Sequence, residues 1–147
     1  MAEPRERADV LVFARIGAID RLATQRLERA LPDGLSAAGL AVLSQLALGG
    51  EAPTPQRLAS ALRLSKPAMS HTLQRLDGAG LVAIAADAAD RRRKRVALTP
   101  AGAAALRAAA ARVRPRLDEV RAAFDAAQFE AALPFLERLS AWLAAHP

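Results

Sequence analysis

Apolar side chains recur every three or four residues along most of this chain and alternate only in one short stretch. Val10, Phe13, Ile16, Ile19 or Ala23, and Leu27 keep helical spacing, which predicts a first helix over residues 8–30. Arg15, Arg21, Arg26 and Arg29 interleave with Asp20 and Glu28 on its wetter sides, and Pro32-Asp33-Gly34 ends it in a turn. Ser36 is placed to cap a second helix running to about Leu48, with Leu40, Leu43, Leu46 and Ala47 as its apolar stripe and Gly49-Gly50 as its stop. Thr54-Pro55 is a cap followed by proline at the first helical position, where a missing N–H removes no bond; Leu58, Ala59 and Leu62 then make a short third helix. Ser65 caps a fourth, with Pro67 in its first turn. Met69, Leu73 and Leu76 face inward at i, i+4 and i+7, and Gly78 and Gly80 bound it.

The pattern then changes period. Leu81–Ala85 and Arg95–Leu98 alternate as two strands joined by Ala86–Lys94, a hairpin directly after the fourth helix. Thr99-Pro100 repeats the cap-plus-proline signal and opens a long helix. Leu106, Val113, Leu117, Val120 and Phe124 recur there at near-heptad spacing, suited to packing against another helix. Pro115 falls inside this run and is expected to kink or split it. Asp125 with Gln128 is a capping pair for a last helix carrying Phe129, Leu133, Leu136, Leu139 and Leu143. Pro134 is expected to kink that helix or delay its start, and Trp142 stands at the margin of its stripe. The fold class is mainly α with a small β-hairpin: a helix-turn-helix followed by a wing, between long terminal helices.

Composition narrows the function. With 147 residues the chain fits one domain, or a small domain with an added oligomerisation element. Hydrophobic residues make up 52% but aromatics only 3%, so the core is leucine and alanine. There is no cysteine, which excludes disulfides, thiol redox sensing and cysteine nucleophiles. His71 and His146 are too far apart in sequence to suggest a zinc site. No paired carboxylates, nucleophile–base pair or phosphate-cradling glycine loop is present, so no enzyme chemistry is indicated and no cofactor is called for. The start, MAEPRERADV, is charged and has no signal-peptide core, and no run reaches membrane-spanning length. A cytoplasmic protein without a membrane role is expected.

Charge supplies the positive indication. The net charge is +6, and residues 51–100 carry nine Lys/Arg against four Asp/Glu while the rest is nearly balanced. A localised excess of this kind is the footprint of a polyanion partner, here double-stranded DNA. Two elements carry it. On the fourth helix, Ser65, Lys66, Ala68, Ser70, His71, Thr72 and Arg75 are candidates for the major groove. There lysine donates to guanine, serine donates or accepts, and the alanine methyl meets a thymine methyl. At the hairpin, Asp90-Arg91-Arg92-Arg93-Lys94-Arg95 sits where a wing reaches the phosphate backbone or minor groove. Asp90 is unfavourable beside phosphate; it is read as pinning one of Arg91, Arg92 or Arg93. A solvated amphipathic helix and a solvated charge run are the competing readings of these two elements, and a weak surface pair that of Asp90.

The chain resembles the MarR family of winged-helix transcriptional regulators. The resemblance rests on Leu35-Ser36 with Leu40-Ala41-Val42-Leu43, Thr54-Pro55-Gln56-Arg57-Leu58-Ala59 and Leu64-Ser65-Lys66-Pro67-Ala68-Met69-Ser70. It continues through Leu73-Gln74-Arg75-Leu76, Gly80-Leu81-Val82, Asp87-Ala88-Ala89-Asp90-Arg91-Arg92 and Val96-Ala97-Leu98-Thr99-Pro100-Ala101-Gly102. It implies a winged helix-turn-helix domain over 35–99, dimerisation helices at 1–34 and 100–147, and a homodimer on the two halves of a near-palindromic operator. Val10, Leu117, Val120, Phe124, Leu133, Leu136, Leu139 and Leu143 are the corresponding interface candidates. It also implies repression relieved by a small aromatic or phenolic effector, for which Phe13, Arg15 and Ile16 are candidate lining residues, with plain core or dimer packing as the alternative. The chain departs from the pattern at Ile84, where many relatives have arginine, and at Ala88, where proline is usual; Arg93, Lys94 and Arg95 are the candidates to replace the lost contact. Without cysteine it is outside the redox-sensing branch. A non-specific DNA-organising protein and a protein-interaction winged helix remain the alternatives to a sequence-specific regulator.

Overall fold

The computed structural model describes residues 7–147. The charged start at 1–6, including that part of the expected N-terminal dimerisation segment, lies outside the described residues. The elements are α1 (Ala8–Ala30), α2 (Ala37–Ala47), α3 (Pro55–Leu62), α4 (Lys66–Gly78), β1 (Val82–Ala86), β2 (Lys94–Leu98), α5 (Pro100–Ala123) and α6 (Ala126–Ala145). The chain divides into two compact units, one ending at Val113 and the other running from Arg114 to Pro147.

In the first unit, side-chain caps set where helices begin. Ser36, Thr54 and Ser65 accept the backbone N–H of Gly39, Arg57 and Ala68 at 3.0, 3.2 and 3.2 Å. Each satisfies one of the donors a helix start leaves without a partner. The turn between α3 and α4 closes with Leu64 N–H on the Ala59 carbonyl and Arg63 N–H on Ser60, the Schellman pairing. That pairing puts Arg63 at φ 52, the left-handed region where glycine is the usual residue.

Val42 and Leu43 of α2, Leu58 of α3, and Met69, Leu73 and Leu76 of α4 form the core, closed by Val82 and Val96 of the hairpin and Ala109 of α5. Strands β1 and β2 pair antiparallel with Val82 opposite Leu98, Ile84 opposite Val96 and Ala85 opposite Arg95. Both strands extend one residue further toward the tip than the alternation predicted, because Ala86 and Lys94 still pair and Asp87 N–H donates to the Arg93 carbonyl at 2.9 Å. A third extended segment touches the hairpin at one point, where Val96 N–H donates to the Pro53 carbonyl at 2.9 Å.

Gly102 sits where α5 passes the hairpin base. A Cβ there would overlap the Leu81 carbonyl oxygen and crowd Leu98 Cδ1 at 2.8 Å. Only glycine permits that approach.

Helix α5 runs through Pro115 unbroken, so of the kink or split expected there the split does not occur. Proline removes one hydrogen bond, but the flanking residues, rich in alanine and arginine, favour helix strongly enough to carry the element past it. Helix α6 likewise starts well before Pro134 and continues beyond it. In the second unit Gln128 Oε1 accepts the Asp125 N–H at 3.0 Å at the start of α6. Phe124 and Phe129 meet edge to face with centroids 6.2 Å apart, and Trp142 stacks on His146 at 4.4 Å.

Candidate nucleic-acid interface

Helix α4 divides cleanly into two faces. Met69, Thr72, Leu73 and Leu76 are buried, while Lys66, Ala68, Ser70, His71, Gln74 and Arg75 are exposed. Lys66, Ser70 and Gln74 form one i, i+4 row, and Pro67, His71 and Arg75 form the next. Two of the predicted contact residues have local duties. Thr72 is buried, and its hydroxyl donates to the Ala68 carbonyl at 2.9 Å, so it is withdrawn from the exposed face. Helical periodicity forces this, since position 72 follows 69 and precedes 76 on the core side. Ser65 is the N-cap, with its oxygen engaged by Ala68 N–H. His71 and Arg75 also border a cavity of about 220 Å³ against the start of α2, lined by Gly34, Ser36, Ala38 and Gly39.

The wing tip is organised by two successive Asx turns. Asp87 Oδ1 accepts Ala89 N–H at 3.0 Å, and Asp90 Oδ1 accepts Arg92 N–H at 3.0 Å. Arg93 N–H closes on the Asp90 carbonyl at 2.9 Å. Asp90 therefore shapes the tip chiefly through the backbone. Its guanidinium partner is Arg93 at 3.7 Å, with both groups largely exposed, a pair that contributes little by itself. Arg91, Arg92 and Lys94 are exposed and have no ion-pair partner among the described residues.

Arg95 is placed differently from the rest of the basic run. Its Nε and Nη2 both lie 2.8 Å from Asp87 Oδ2, Nη1 donates to the Ala52 carbonyl at 2.8 Å, and Nη2 lies 3.0 Å from Glu51 Oε1. Hydrogen bonds from the Ala89 N–H and then from Arg95 hold the Asp87 carboxyl below its ordinary value, and Asp87 in turn raises the Arg95 guanidinium. Arg95, expected among the wing cations, is instead engaged within the protein at all three guanidinium nitrogens. Sequence reading missed Asp87, Glu51 and Ala52 as its partners. Strand pairing offered a partial signal, since an acid and a base flanking one tight turn come together when the hairpin closes.

The effector candidates on α1 line neither the cavity beside His71 nor the larger one between α2, α3 and β2. Phe13 and Arg15 are exposed and Ile16 is half-buried. The larger cavity, of about 570 Å³, lies between the end of α2, the α2–α3 link, α3 and β2, bordered by Gln45, Glu51, Arg57 and Val96. Of the interface candidates, Val10, Leu117, Phe124, Leu133, Leu136 and Leu143 are exposed, while Val120 and Leu139 are half-buried. Among the described residues no cluster of His, Asp and Glu could hold a metal ion, and no helix is long and apolar enough to cross a membrane.

Residues 33–93 match the profile of the MarR family. A probable transcriptional regulator from Pseudomonas aeruginosa is 31% identical in sequence, with 87% of this chain and 98% of that one aligned at a TM-score of 0.70. The Bordetella bronchiseptica regulator BpsR, whose DNA binding is regulated by 6-hydroxynicotinic acid, is 27% identical over 86% of this chain and 98% of its own, at a TM-score of 0.70. The repressor CouR of Rhodococcus jostii RHA1, bound to a 23-mer DNA duplex, shares the fold at a TM-score of 0.79 with 23% identity over 95% of this chain and 99% of that one. No curated protein matches the sequence.

Proposed function

The chain belongs to the MarR family of winged-helix transcriptional regulators and is a DNA-binding regulator rather than an enzyme, and we propose that it acts as a homodimeric repressor on a near-palindromic operator in the cytoplasm. The observation that carries this reading is the pairing of the exposed polar rows of α4 with a wing tip whose Arg91, Arg92 and Lys94 side chains have no ion-pair partner among the described residues. Lys66, Ser70 and His71 read base edges in the major groove, and the wing arginines neutralise phosphates beside it. Backbone neutralisation supplies affinity, and α4 supplies discrimination.

A second copy of the chain covers the exposed large apolar side chains of the terminal helices. Val10, Leu11, Phe13, Ile19 and Leu22 of α1 are exposed, as are Leu117 and Phe124 of α5 and Leu133, Leu136 and Leu143 of α6. Monomeric proteins rarely leave so many large apolar groups in water. A small aromatic acid is the effector class, supported by the likeness to BpsR. Its binding releases DNA by favouring an arrangement of the two winged domains that does not fit the operator.

The experiment is a mobility-shift titration of the protein against its own upstream DNA and a shuffled duplex at matched salt. Preference for the upstream DNA supports the reading. Equal affinity for both makes the protein a non-specific DNA-organising factor, and absence of salt-dependent binding makes it a protein-interaction module.

A further inference from the structure

Arg95 stands apart from its neighbours in a way that charge alone does not explain. It belongs to a run of five basic residues at the wing. Yet its side chain is only 25% exposed and Asp87 only 12%, whereas Arg93 is 68% exposed. Its three nitrogens make four contacts to three acceptors from two separate segments. Asp87 belongs to the wing turn; Ala52 and Glu51 belong to the link that leads into Thr54, the N-cap of α3. Only a planar fork can meet a carboxylate on one edge and a carbonyl on another at once. One residue along, Val96 N–H bonds to the Pro53 carbonyl. The wing is thus tied to the helix-turn-helix at two adjacent points, one through backbone and one through Arg95.

We propose that Arg95 is a positioning residue for the DNA-binding wing, clamping Asp87 to the Ala52 carbonyl so that Arg91, Arg92 and Lys94 are held at a fixed place relative to α4. This rests on the DNA-binding reading above and assigns Arg95 a role distinct from phosphate contact. Two links follow from the geometry. Asp87 also accepts the Ala89 N–H and donates its own N–H to the Arg93 carbonyl, so a shift of Asp87 reshapes the turn that carries the free arginines. Glu51, with its side chain 71% exposed, adds a peripheral contact.

The sign of one substitution separates this role from simple electrostatics. Asp87→Asn removes a negative charge near DNA, which by Coulomb attraction alone tightens binding. The clamp requires the opposite, a loss of roughly tenfold in duplex affinity, since a charge-assisted bond is replaced by a weaker one and the wing is released. Arg95→Gln loses affinity by a similar factor while the slope of affinity against salt is unchanged. A direct phosphate contact would lower that slope by about one. The double variant Asp87→Asn/Arg95→Gln binds no worse than either single one, because both remove the same bond. Arg95→Lys does not restore affinity, since a point charge cannot span both segments. Glu51→Gln stays within twofold, roughly, as befits an exposed pair.

Hydrogen exchange of the free protein gives a readout that needs no DNA. The Val96 amide, which faces Pro53, exchanges faster in Asp87→Asn and Arg95→Gln while buried amides of α2 and α4 keep their protection, which also shows that the variants fold. Tighter or unchanged DNA binding by Asp87→Asn, a flattened salt slope in Arg95→Gln, or unaltered Val96 protection overturns the clamp. Failure of the wild-type protein to bind duplex DNA overturns the DNA-binding reading instead, and leaves the clamp to be judged by Val96 exchange.

Discussion

The Thr99 hydroxyl donates to the Gly80 carbonyl at 2.7 Å, joining the residue that ends the wing to the residue that precedes it. The same oxygen accepts the Gly102 N–H at 3.0 Å and so caps α5. Thr99 N–H also reaches the Leu81 carbonyl at 3.3 Å. One side chain thereby fixes the base of the hairpin and the first turn of the long helix together. Thr99→Val keeps the shape and removes both hydroxyl bonds. A loss of about 1–2 kcal/mol in urea unfolding is expected; no change would mean that solvent replaces these bonds without cost.

Gly102 stands in the same joint. Adding a methyl group sets Cβ against the Leu81 carbonyl oxygen, a backbone atom that cannot turn aside. Gly102→Ala is expected to destabilise by about 2–3 kcal/mol, as overpacking against a fixed wall does. A thermal melt of the two proteins side by side measures it.

Arg63 holds φ 52 in the turn between α3 and α4. Left-handed backbone costs a side-chain-bearing residue about 1 kcal/mol, partly offset in glycine by its larger chain entropy. Arg63→Gly is therefore expected to raise stability by roughly 0.5 kcal/mol. A lower denaturation midpoint would show that the arginine side chain contributes more than its backbone costs.

Wing and helix variants are expected to differ in kind. Arg91→Ala weakens binding to most sequences together and lowers the salt slope by about one, as loss of a phosphate contact does. Lys66→Ala and His71→Ala shift the preferred sequence, each altering discrimination by about 1–3 kcal/mol at the base concerned. Selection of bound sequences from a random pool by each variant makes the comparison; identical preferences would remove base reading from these two residues.

Acid is expected to loosen the wing only late. The Asp87 carboxyl lies below its ordinary value near 3.8 because the Ala89 N–H, and next Arg95, favour its ionised form. A depressed carboxylate contributes stability that is fully present above its unfolded value and is lost as pH falls through its folded one. Val96 amide protection, corrected for intrinsic exchange, should hold from pH 8 to about pH 4 and decline below that. Arg95, whose guanidinium Asp87 raises further, stays charged throughout and does not shift that window.

Glutamate on an apolar face of α6 tests the proposed association. Leu136 is exposed in the single chain, so Leu136→Glu should leave helix content intact while driving sedimentation toward the monomer. A carboxylate buried at an interface without a partner disfavours assembly. An unchanged sedimentation coefficient would place the interface elsewhere.

The helices were legible because their signals are local. Ser36, Thr54 and Ser65 each cap the helix their position announces, and the inward stripe Met69, Leu73, Leu76 is the one the core receives. The hairpin was readable from the change of period, to within one residue at its inner ends. Thr72 was misplaced because its polarity suggested an outer position; its place in the helix, between buried neighbours and with the Ala68 carbonyl within reach, keeps it inside. Pro115 does not split α5, because a single lost hydrogen bond does not outweigh a long helix-favouring run.

By itself the sequence determined the element order, the caps, the buried stripes and the concentration of positive charge between residues 51 and 100. These depend on neighbours within a turn or two of helix. The tertiary structure alone decided which of those charges are free. Arg91 and Arg95 are four residues apart and chemically identical, yet one is exposed at a tip and the other is closed over Asp87 and the Ala52 carbonyl. That difference comes from a contact across 43 residues of chain, which no local pattern encodes because it exists only once the hairpin has folded back onto the link.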